Sequence, residues 1–325
     1  MGIKNLNRFL RTECKDSIKI VHLSELSGKK IVIDISIYLF KFVSDGGLIE
    51  NMYLMLSIFR HYNITPIFIF DGKIPAEKKE LLQKRREDKI DAEKEYQALK
   101  TKLEINESMD DCEKQEIHSH MDVLKKKFIY IHKTDFENVK KLINAFGATY
   151  YDAPGEADEL CAFLTIKGKV WACLSEDMDM FVYGCTRVIR YLSLLNHTIV
   201  LYQQKEILDH LRISQKEFTE ICVLSGTDYN IYNENNLSLN NILKLFKKYK
   251  KKKDESSFYE WLMKTTHYIK DYELLIKINS MFNMEANEHL DEWKVFEKIK
   301  LGNGKIMMED IKCILKEDGF VFPEK

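Results

Sequence analysis

Seven acidic residues hold the positions along this 325-residue chain that bear most directly on chemistry. They fall in five segments, two of them directly after a short apolar run and the others within a few residues of one: Ile31-Val-Ile-Asp34, Ile67-Phe-Ile-Phe-Asp71, Glu156-Ala-Asp158, Asp177-Met-Asp179 and Thr227-Asp228. Carboxylates placed where buried strands end converge on one patch, and seven together repel one another strongly unless cations bind between them. Their oxygens are hard donors and no His/Cys cluster adjoins them, which selects Mg²⁺, Mn²⁺ or Ca²⁺ over zinc. Mg²⁺ keeps several of its waters, so direct contact with all seven is not required. Two such ions about 4 Å apart form a device for in-line displacement at a phosphodiester. The simpler reading of any one member is a helix cap or a turn former. Recurrence across five segments favours a shared metal site.

Lys78 and Arg85 add cations to this pattern. They are seven apart in a predicted helix beginning shortly after Asp71, which returns them to nearly the same face. Projected toward an acidic site, they would hold a scissile phosphate and offset charge in a transition state. Taken alone, a solvated charged helix explains them as well.

The elements that must position these groups follow from hydrophobic patterning. Strands are predicted at Lys30–Asp34, Pro66–Asp71, Ala148–Ala153, Lys169–Ser175, Arg187–Leu192 and Thr198–Tyr202. The first, second and fourth are continuous apolar runs, as in strands covered on both faces. Helices are predicted at Leu48–Tyr62, Lys133–Phe146 and Glu156–Lys167, and this alternation implies a mostly parallel, doubly wound α/β sheet. Ligands of such sheets bind beyond the carboxyl ends of the strands. Glu156 and Asp158 are two apart and would diverge by roughly 200° on a regular helix. Both face one site only if a helix begins near Gly155, and Asp152-Ala-Pro154-Gly155 supplies a turn there.

Residues 76 to about 127 are rich in Lys, Glu, Asp and Gln, with helix formers throughout and few apolar residues. Helices of that composition protrude, or stay partly disordered until something binds. From Gln215 onward the chain reads as helical, with an amphipathic pattern from Trp261 to Met281 and a short helix near Met308–Lys316. No glycine- or serine-rich linker marks a domain boundary.

Lys and Arg total 50 against 51 Asp and Glu, so the net charge of -1 says little by itself; setting the seven carboxylates aside leaves +6. An acidic site on a mildly basic body is consistent with a polyanionic partner. The seven cysteines form no C-x-x-C pair and sit mostly in apolar company, as buried reduced thiols of an intracellular protein do. No run of eighteen apolar residues and no signal-peptide core occurs. Leu6 occupies the place where N-myristoylation wants Ser or Thr. A soluble, intracellular protein is expected. Asp34 after a strand also invites a haloacid-dehalogenase-type phosphatase, but that chemistry wants Asp-x-Asp and Ser36 stands there.

Taken together these segments resemble the XPG-type 5′-flap endonuclease family. Met1-Gly-Ile-Lys-Asn-Leu6, Val32-Ile-Asp-Ile-Ser36, Phe70-Asp-Gly-Lys-Ile-Pro75, Asp152-Ala-Pro-Gly-Glu-Ala-Asp158, Ser175-Glu-Asp-Met-Asp179 and Leu224-Ser-Gly-Thr-Asp-Tyr229 occur in that family's order, over roughly residues 1–250. The resemblance implies a PIN-like nuclease core with metal ligands at Asp34, Asp71, Glu156, Asp158, Asp177, Asp179 and Asp228. Asp158 stands where many relatives carry Glu. Lys78 and Arg85 match the phosphate-contacting pair on the first helix of the family's arch. Residues 76–127 then form the helical arch and cap that a free 5′ end passes. Phe40 falls where relatives stack an aromatic on the base beside the cut, although a core role in the Tyr38/Phe40/Phe42 alternation explains it nearly as well. Gly2 would bring an α-amine near the site if Met1 is removed.

The resemblance further implies two bound Mg²⁺ ions, with Mn²⁺ as a substitute, and cleavage of DNA near a single-strand/double-strand junction to leave a 5′-phosphate and a 3′-hydroxyl. Branched or flapped DNA is the expected partner, in replication, repair or recombination, and a monomer is the default state. The expected location is the nucleus or another site of DNA replication, such as a viral factory. A modified helix–two-turn–helix is expected over about 216–250 and a helical extension over 251–325, packed on the same nuclease domain. The departures lie here. Ile231–Asn241 has no glycine where relatives have a glycine-rich hairpin that grips duplex DNA and a monovalent cation. Asn tolerates left-handed backbone and preserves a similar turn, while the phosphate grip and the cation are in doubt. Lys244, Lys247 and Lys248, in a lysine-dense stretch reaching Lys253, would compensate by contacting duplex phosphates. A nuclear-import signal or a solvated helix face are the alternatives. A C-terminal clamp-binding box common in relatives is absent, so a sliding clamp would not bind that way. Within nucleases, a preference for gaps, nicks or RNA primers would use the same site. Outside them, a non-catalytic DNA-junction-binding module of the same fold is the rival.

Overall fold

Ile31, Val32 and Ile33 are all buried, yet they face opposite ways: Val32 packs into one hydrophobic cluster, Ile31 and Ile33 into another. Ile67 and Ile69 against Phe68 and Phe70 repeat this division on the neighbouring strand. A strand alternates its side chains by face, so a continuous apolar run is what a doubly covered sheet demands. The computed structural model describes residues 2–105, 110–229, 238–252, 256–287, 289–297 and 301–322.

Its seven strands are β1 (Ile18–His22), β2 (Lys30–Asp34), β3 (Thr65–Phe70), β4 (Thr149–Asp152), β5 (Ala172–Leu174), β6 (Arg187–Ser193) and β7 (Thr198–Gln203), in the order β1-β7-β6-β5-β2-β3-β4. Pairs among β6, β5, β2, β3 and β4 are parallel; the β6–β7 hairpin and β1 on β7 are antiparallel. This is the mostly parallel, doubly wound sheet expected. The chain leaves β2 for β3 on one side and returns to β5 on the other, so the carboxyl end of β2 is a topological switch point. β1 was not foreseen: it is an edge strand with Ile20 79% exposed, so it lacks the apolar run of a covered strand. The predicted fourth strand is also shorter, Ala172–Leu174.

One face is covered by helices Ala157–Ile166 and Gln215–Ser225 and by Phe258, Trp261, Trp293 and Phe296 from the C-terminal part. The other carries helices Leu48–His61 and Lys133–Ala145, with Ile311 and Leu315 of the helix Met308–Glu317 added to it. The single amphipathic pattern expected over 261–281 is two helices, Phe258–Thr265 and Tyr272–Met281; the second restarts where the Asp271 side chain accepts from the Leu274 N–H. Cys14, Cys161, Cys173, Cys185 and Cys222 are buried free thiols, while Cys313 is exposed. No helix among the described residues is long and apolar enough to cross a membrane.

The polar segment forms a helical hairpin. Lys79–Ile105 runs 27 residues, about 40 Å at 1.5 Å per residue. Asp111–Lys125 packs back along it. Among the described residues a small apolar cluster of Ile117 and Met121 with Tyr96, Leu99 and Leu103, and a 3.5 Å contact between His120 and Glu95, join the two, so the hairpin protrudes as its composition demands.

Candidate active site

Asp34 is the last residue of β2, and Asp71 follows the last residue of β3, its parallel neighbour. Each is oriented by donors from other segments. Ser175 Oγ donates to Asp34 Oδ2 at 2.9 Å and the Ser36 N–H to Oδ1 at 3.3 Å. Ser36 Oγ and the Ala157 N–H donate to the two oxygens of Asp71. From the end of β5 a relay continues: the Asp177 N–H donates to Ser175 Oγ at 3.0 Å and the Asp179 N–H to Asp177 Oδ1 at 2.9 Å.

The loops after β3 and β4 are zipped together by backbone. The Gly72 N–H donates to the Gly155 carbonyl at 2.8 Å and the Lys73 N–H to that of Pro154 at 3.1 Å. A Cβ on Gly72 would collide with the Ala153 carbonyl oxygen, so this approach requires glycine. The zip leaves Glu156 as the extended N-cap of helix Ala157–Ile166, with Asp158 in its first turn. Helix entry at this point is what lets both acids face one cleft, as their spacing required.

That cleft, about 990 Å³, is lined by Asp34, Asp71, Glu156, Asp158, Asp177 and Asp228 at its floor. Asp179, the seventh acid, is 1% exposed and sits behind Asp177. Lys78 and Arg85 enter from the foot of the arch, as their spacing predicts. Lys78 ends the turn Ala76–Lys78 just before the long helix rather than lying within it. Its Nζ donates to Glu156 Oε1 at 2.7 Å, and an Arg85 guanidinium nitrogen to Asp228 Oδ2 at 2.9 Å. Tyr229 is the residue that sequence reasoning missed. Its hydroxyl donates to Glu156 Oε2 at 2.9 Å and its ring lies 4.9 Å from Lys78 Nζ. The available signal was its place beside Asp228 in the same motif.

Burial and neighbouring charge raise the proton affinity of Asp34, Asp158 and Asp179. Burial first, then the charge of Asp71, pushes Asp34 up to about 7, against the opposing Ser175 hydrogen bond. Burial and then Asp177 push Asp158 and Asp179 well above the usual carboxylate range. For Lys78, burial alone would lower the pKa, but Tyr229, Glu156, Asp158 and Asp179 outweigh it and hold the ammonium charged. Both carboxylate oxygens of Asp179 are buried with no hydrogen-bond partner among the described residues. Buried carboxylate oxygens without donors, amid a set of hard oxygen ligands, fit a divalent cation such as Mg²⁺ or Mn²⁺. Among the described residues no three acids already close on a single point as a finished cage; Lys78 and Arg85 supply the nearest positive charge.

Gly2 reaches this site. Its φ is +74°, and a Cβ there would collide with Oδ1 of both Asp177 and Asp179. Phe40 is 44% exposed and lines the cleft, whereas Tyr38 and Phe42 are buried at 2% each, so the core alternative for Phe40 fails. Lys244, Lys247 and Lys248 lie elsewhere, on the solvent face of helix Leu239–Lys252, opposite buried Ile242, Leu243 and Phe246. Most of the Asn-rich hairpin, 230–237, lies outside the described residues, as does Lys253.

A doubly wound sheet with an acidic switch-point cleft and a helical arch rising beside it defines a class, and the comparisons agree with it. The XPG N-terminal domain model matches residues 1–92 and the XPG I-region model residues 147–228, together more than half of the chain. The chain belongs to the XPG family. It is 28% identical over 247 residues to Flap endonuclease 1 of Xenopus tropicalis, a match spanning 70% of this chain and 61% of that relative's length. Flap endonuclease-1 from Methanococcus jannaschii superposes with a TM-score of 0.56 at 25% identity, covering 92% of this chain and 94% of that one. GEN1, a Holliday junction-resolving enzyme solved with product DNA, Mg²⁺ and Mn²⁺, shares the fold with a TM-score of 0.63 at 16% identity, covering 95% of this chain and 71% of that one.

Proposed function

We propose that this protein is a structure-specific, Mg²⁺-dependent DNA endonuclease that hydrolyses a phosphodiester near a junction of single- and double-stranded DNA. The observation that carries this reading is the meeting of six carboxylates with Lys78 and Arg85 in one cleft at the carboxyl ends of β2 and β3. Asp34, Asp71, Glu156, Asp158, Asp177, Asp179 and Asp228 would hold two Mg²⁺ ions, for which Mn²⁺ substitutes. When bound, the ions supply an activated water and offset the charge of the attacking and leaving oxygens.

The chain's own groups do the rest. Ser36, Ser175 and the Ala157 N–H keep Asp34 and Asp71 aimed at the cleft. Lys78 and Arg85, now paired to Glu156 and Asp228, exchange those partners for the scissile phosphate and balance charge in the transition state. Gly2, against Asp177 and Asp179, would bring an α-amine near the site if Met1 is removed. Phe40 offers a π face to the base beside the cut. The arch beside the cleft favours a strand with a free 5′ end, and products carry a 5′-phosphate and a 3′-hydroxyl. The relatives named flap endonucleases and the Mg²⁺- and Mn²⁺-bound GEN1 structure support the reading.

The test is a panel of end-labelled flapped, nicked, gapped and intact duplexes, incubated with Mg²⁺ and either wild type or Asp179→Ala. Cleavage at the flap base by wild type alone is expected. Equal inertness of the two proteins, with both still binding the flap, would leave a binding module instead.

A further inference from the structure

The cleft is bipolar: acids line its floor, while its outer end carries Arg86, Lys89, Lys126, Lys127, Phe40 and Tyr130. Arg86, Lys126 and Lys127 are exposed and have no carboxylate partner among the described residues. Phe40 and Tyr130 are 44% and 49% exposed, although they come from different elements and both border this space. Between them stands one cation. Lys89 Nζ lies 5.1 Å from the Phe40 ring centroid and 5.5 Å from that of Tyr130, and donates to the Ile129 carbonyl at 3.0 Å. The Tyr130 hydroxyl donates to Glu93 Oε2 at 3.1 Å, at the exposed edge of the ring and away from its face.

Two aromatic faces that share an ammonium, half open to solvent, do not behave as core packing. A cation between exposed rings is weakly held. A nucleobase presents a π face to each ring and stacks over a larger area, whatever its sequence. Unpaired cations alongside suit the phosphates of the same strand. We propose that Phe40 and Tyr130 are the opposing walls of a slot for one unpaired nucleobase of the DNA substrate, with Lys89 as the cation that the base displaces. Lys89, once displaced, moves to an adjoining phosphate. The proposal rests on the DNA-cleaving reading of the cleft and adds to it a single-strand subsite built from Tyr130. The slot reads the presence of a base, not its identity.

The experiment measures binding of a 5′-flapped duplex by fluorescence anisotropy in EDTA, where no cutting interferes. An abasic residue is placed at one flap position at a time, and wild type, Tyr130→Ala and Tyr130→Phe are compared. In wild type, one abasic position should weaken binding by about tenfold, the scale of a lost base–aromatic stack. Tyr130→Ala should lose about tenfold on the intact flap and nothing more when the abasic residue stands at that position. Tyr130→Phe keeps the π face and should bind as wild type does. Losses that multiply at every position, or a Tyr130→Phe protein as weak as Tyr130→Ala, would overturn the slot. A wild type that binds in this pattern yet never cuts with Mg²⁺ would sink the nuclease reading and leave the slot standing. Cutting with multiplying losses would do the reverse.

Discussion

Replacing Asp34 by Asn should make the metal-free protein more stable while removing its activity. Asp34 is 5% exposed, and burial together with Asp71 raises its carboxyl from the usual 3.8 to about 7. A difference of that size corresponds to about 4 kcal/mol of destabilisation once pH exceeds both values. Asp158 and Asp177 also press on this group or share its field, and the amide of Asn needs partners of its own, so about 2 kcal/mol is the expected gain at pH 7.5. The sign follows from linkage. A carboxyl whose folded pKa is raised favours the folded state below about 3.8, and that contribution is lost as pH rises through about 7. The advantage of Asp34→Asn over wild type should therefore be small near pH 4, grow between about 4 and 7, and level off above. Urea unfolding of both proteins in EDTA across this range gives the difference, because titrations outside the acidic cluster cancel between them and relief of Asp158 by loss of the Asp34 charge adds to the gain with the same sign. A variant no more stable than wild type at pH 7.5, or a gain that does not change with pH, would refute the electrostatic account of the site.

Other perturbations separate the parts of the site. Lys78→Ala and Arg85→Ala should each lower the single-turnover cleavage rate by about 10²- to 10³-fold while weakening flap binding far less. Tyr229→Phe removes the hydrogen bond to Glu156 Oε2 but keeps the ring beneath Lys78, so unfolding should cost about 1 kcal/mol less and cleavage should slow. Gly72→Ala meets the Ala153 carbonyl; the zip between the two loops should open, with a stability loss of about 1–3 kcal/mol in urea melts and loss of cleavage. Adding Mg²⁺ to EDTA-treated wild type should raise the melting temperature, and Asp179→Asn should blunt that rise.

Much of the architecture was legible because burial on two faces writes itself as uninterrupted apolar runs, as at Ile31–Ile33 and Ile67–Phe70. β1 escaped notice because an edge strand needs no such run; Ile20 points to solvent. The helix entry at Glu156 was readable from the two-residue spacing of its acids and the Pro-Gly before it. What remained hidden arises where distant segments meet. Tyr229 acts through Glu156, 73 residues away, and no local pattern announces that contact. Gly72 looks like an ordinary turn glycine until the Ala153 carbonyl is placed against it. Lys89 reads as one charge on a charged helix, and only the fold sets it between Phe40 and Tyr130. The choice between a stacking and a core role for Phe40 likewise needed the helix's orientation, which buries Tyr38 and Phe42 and leaves Phe40 facing the cleft.

On the proposed function, the acids at the strand ends hold divalent ions that cut DNA. Single-turnover cleavage of a 5′-flapped duplex, followed while Mg²⁺ is titrated into the EDTA-treated protein, tests it most directly. The predicted result is no cutting without added metal, a steep rise with Mg²⁺, a 5′-phosphate on the product, and no cutting by Asp179→Ala at any Mg²⁺ concentration. Cleavage that persists in EDTA, or that Asp179→Ala performs as well as wild type, would contradict it.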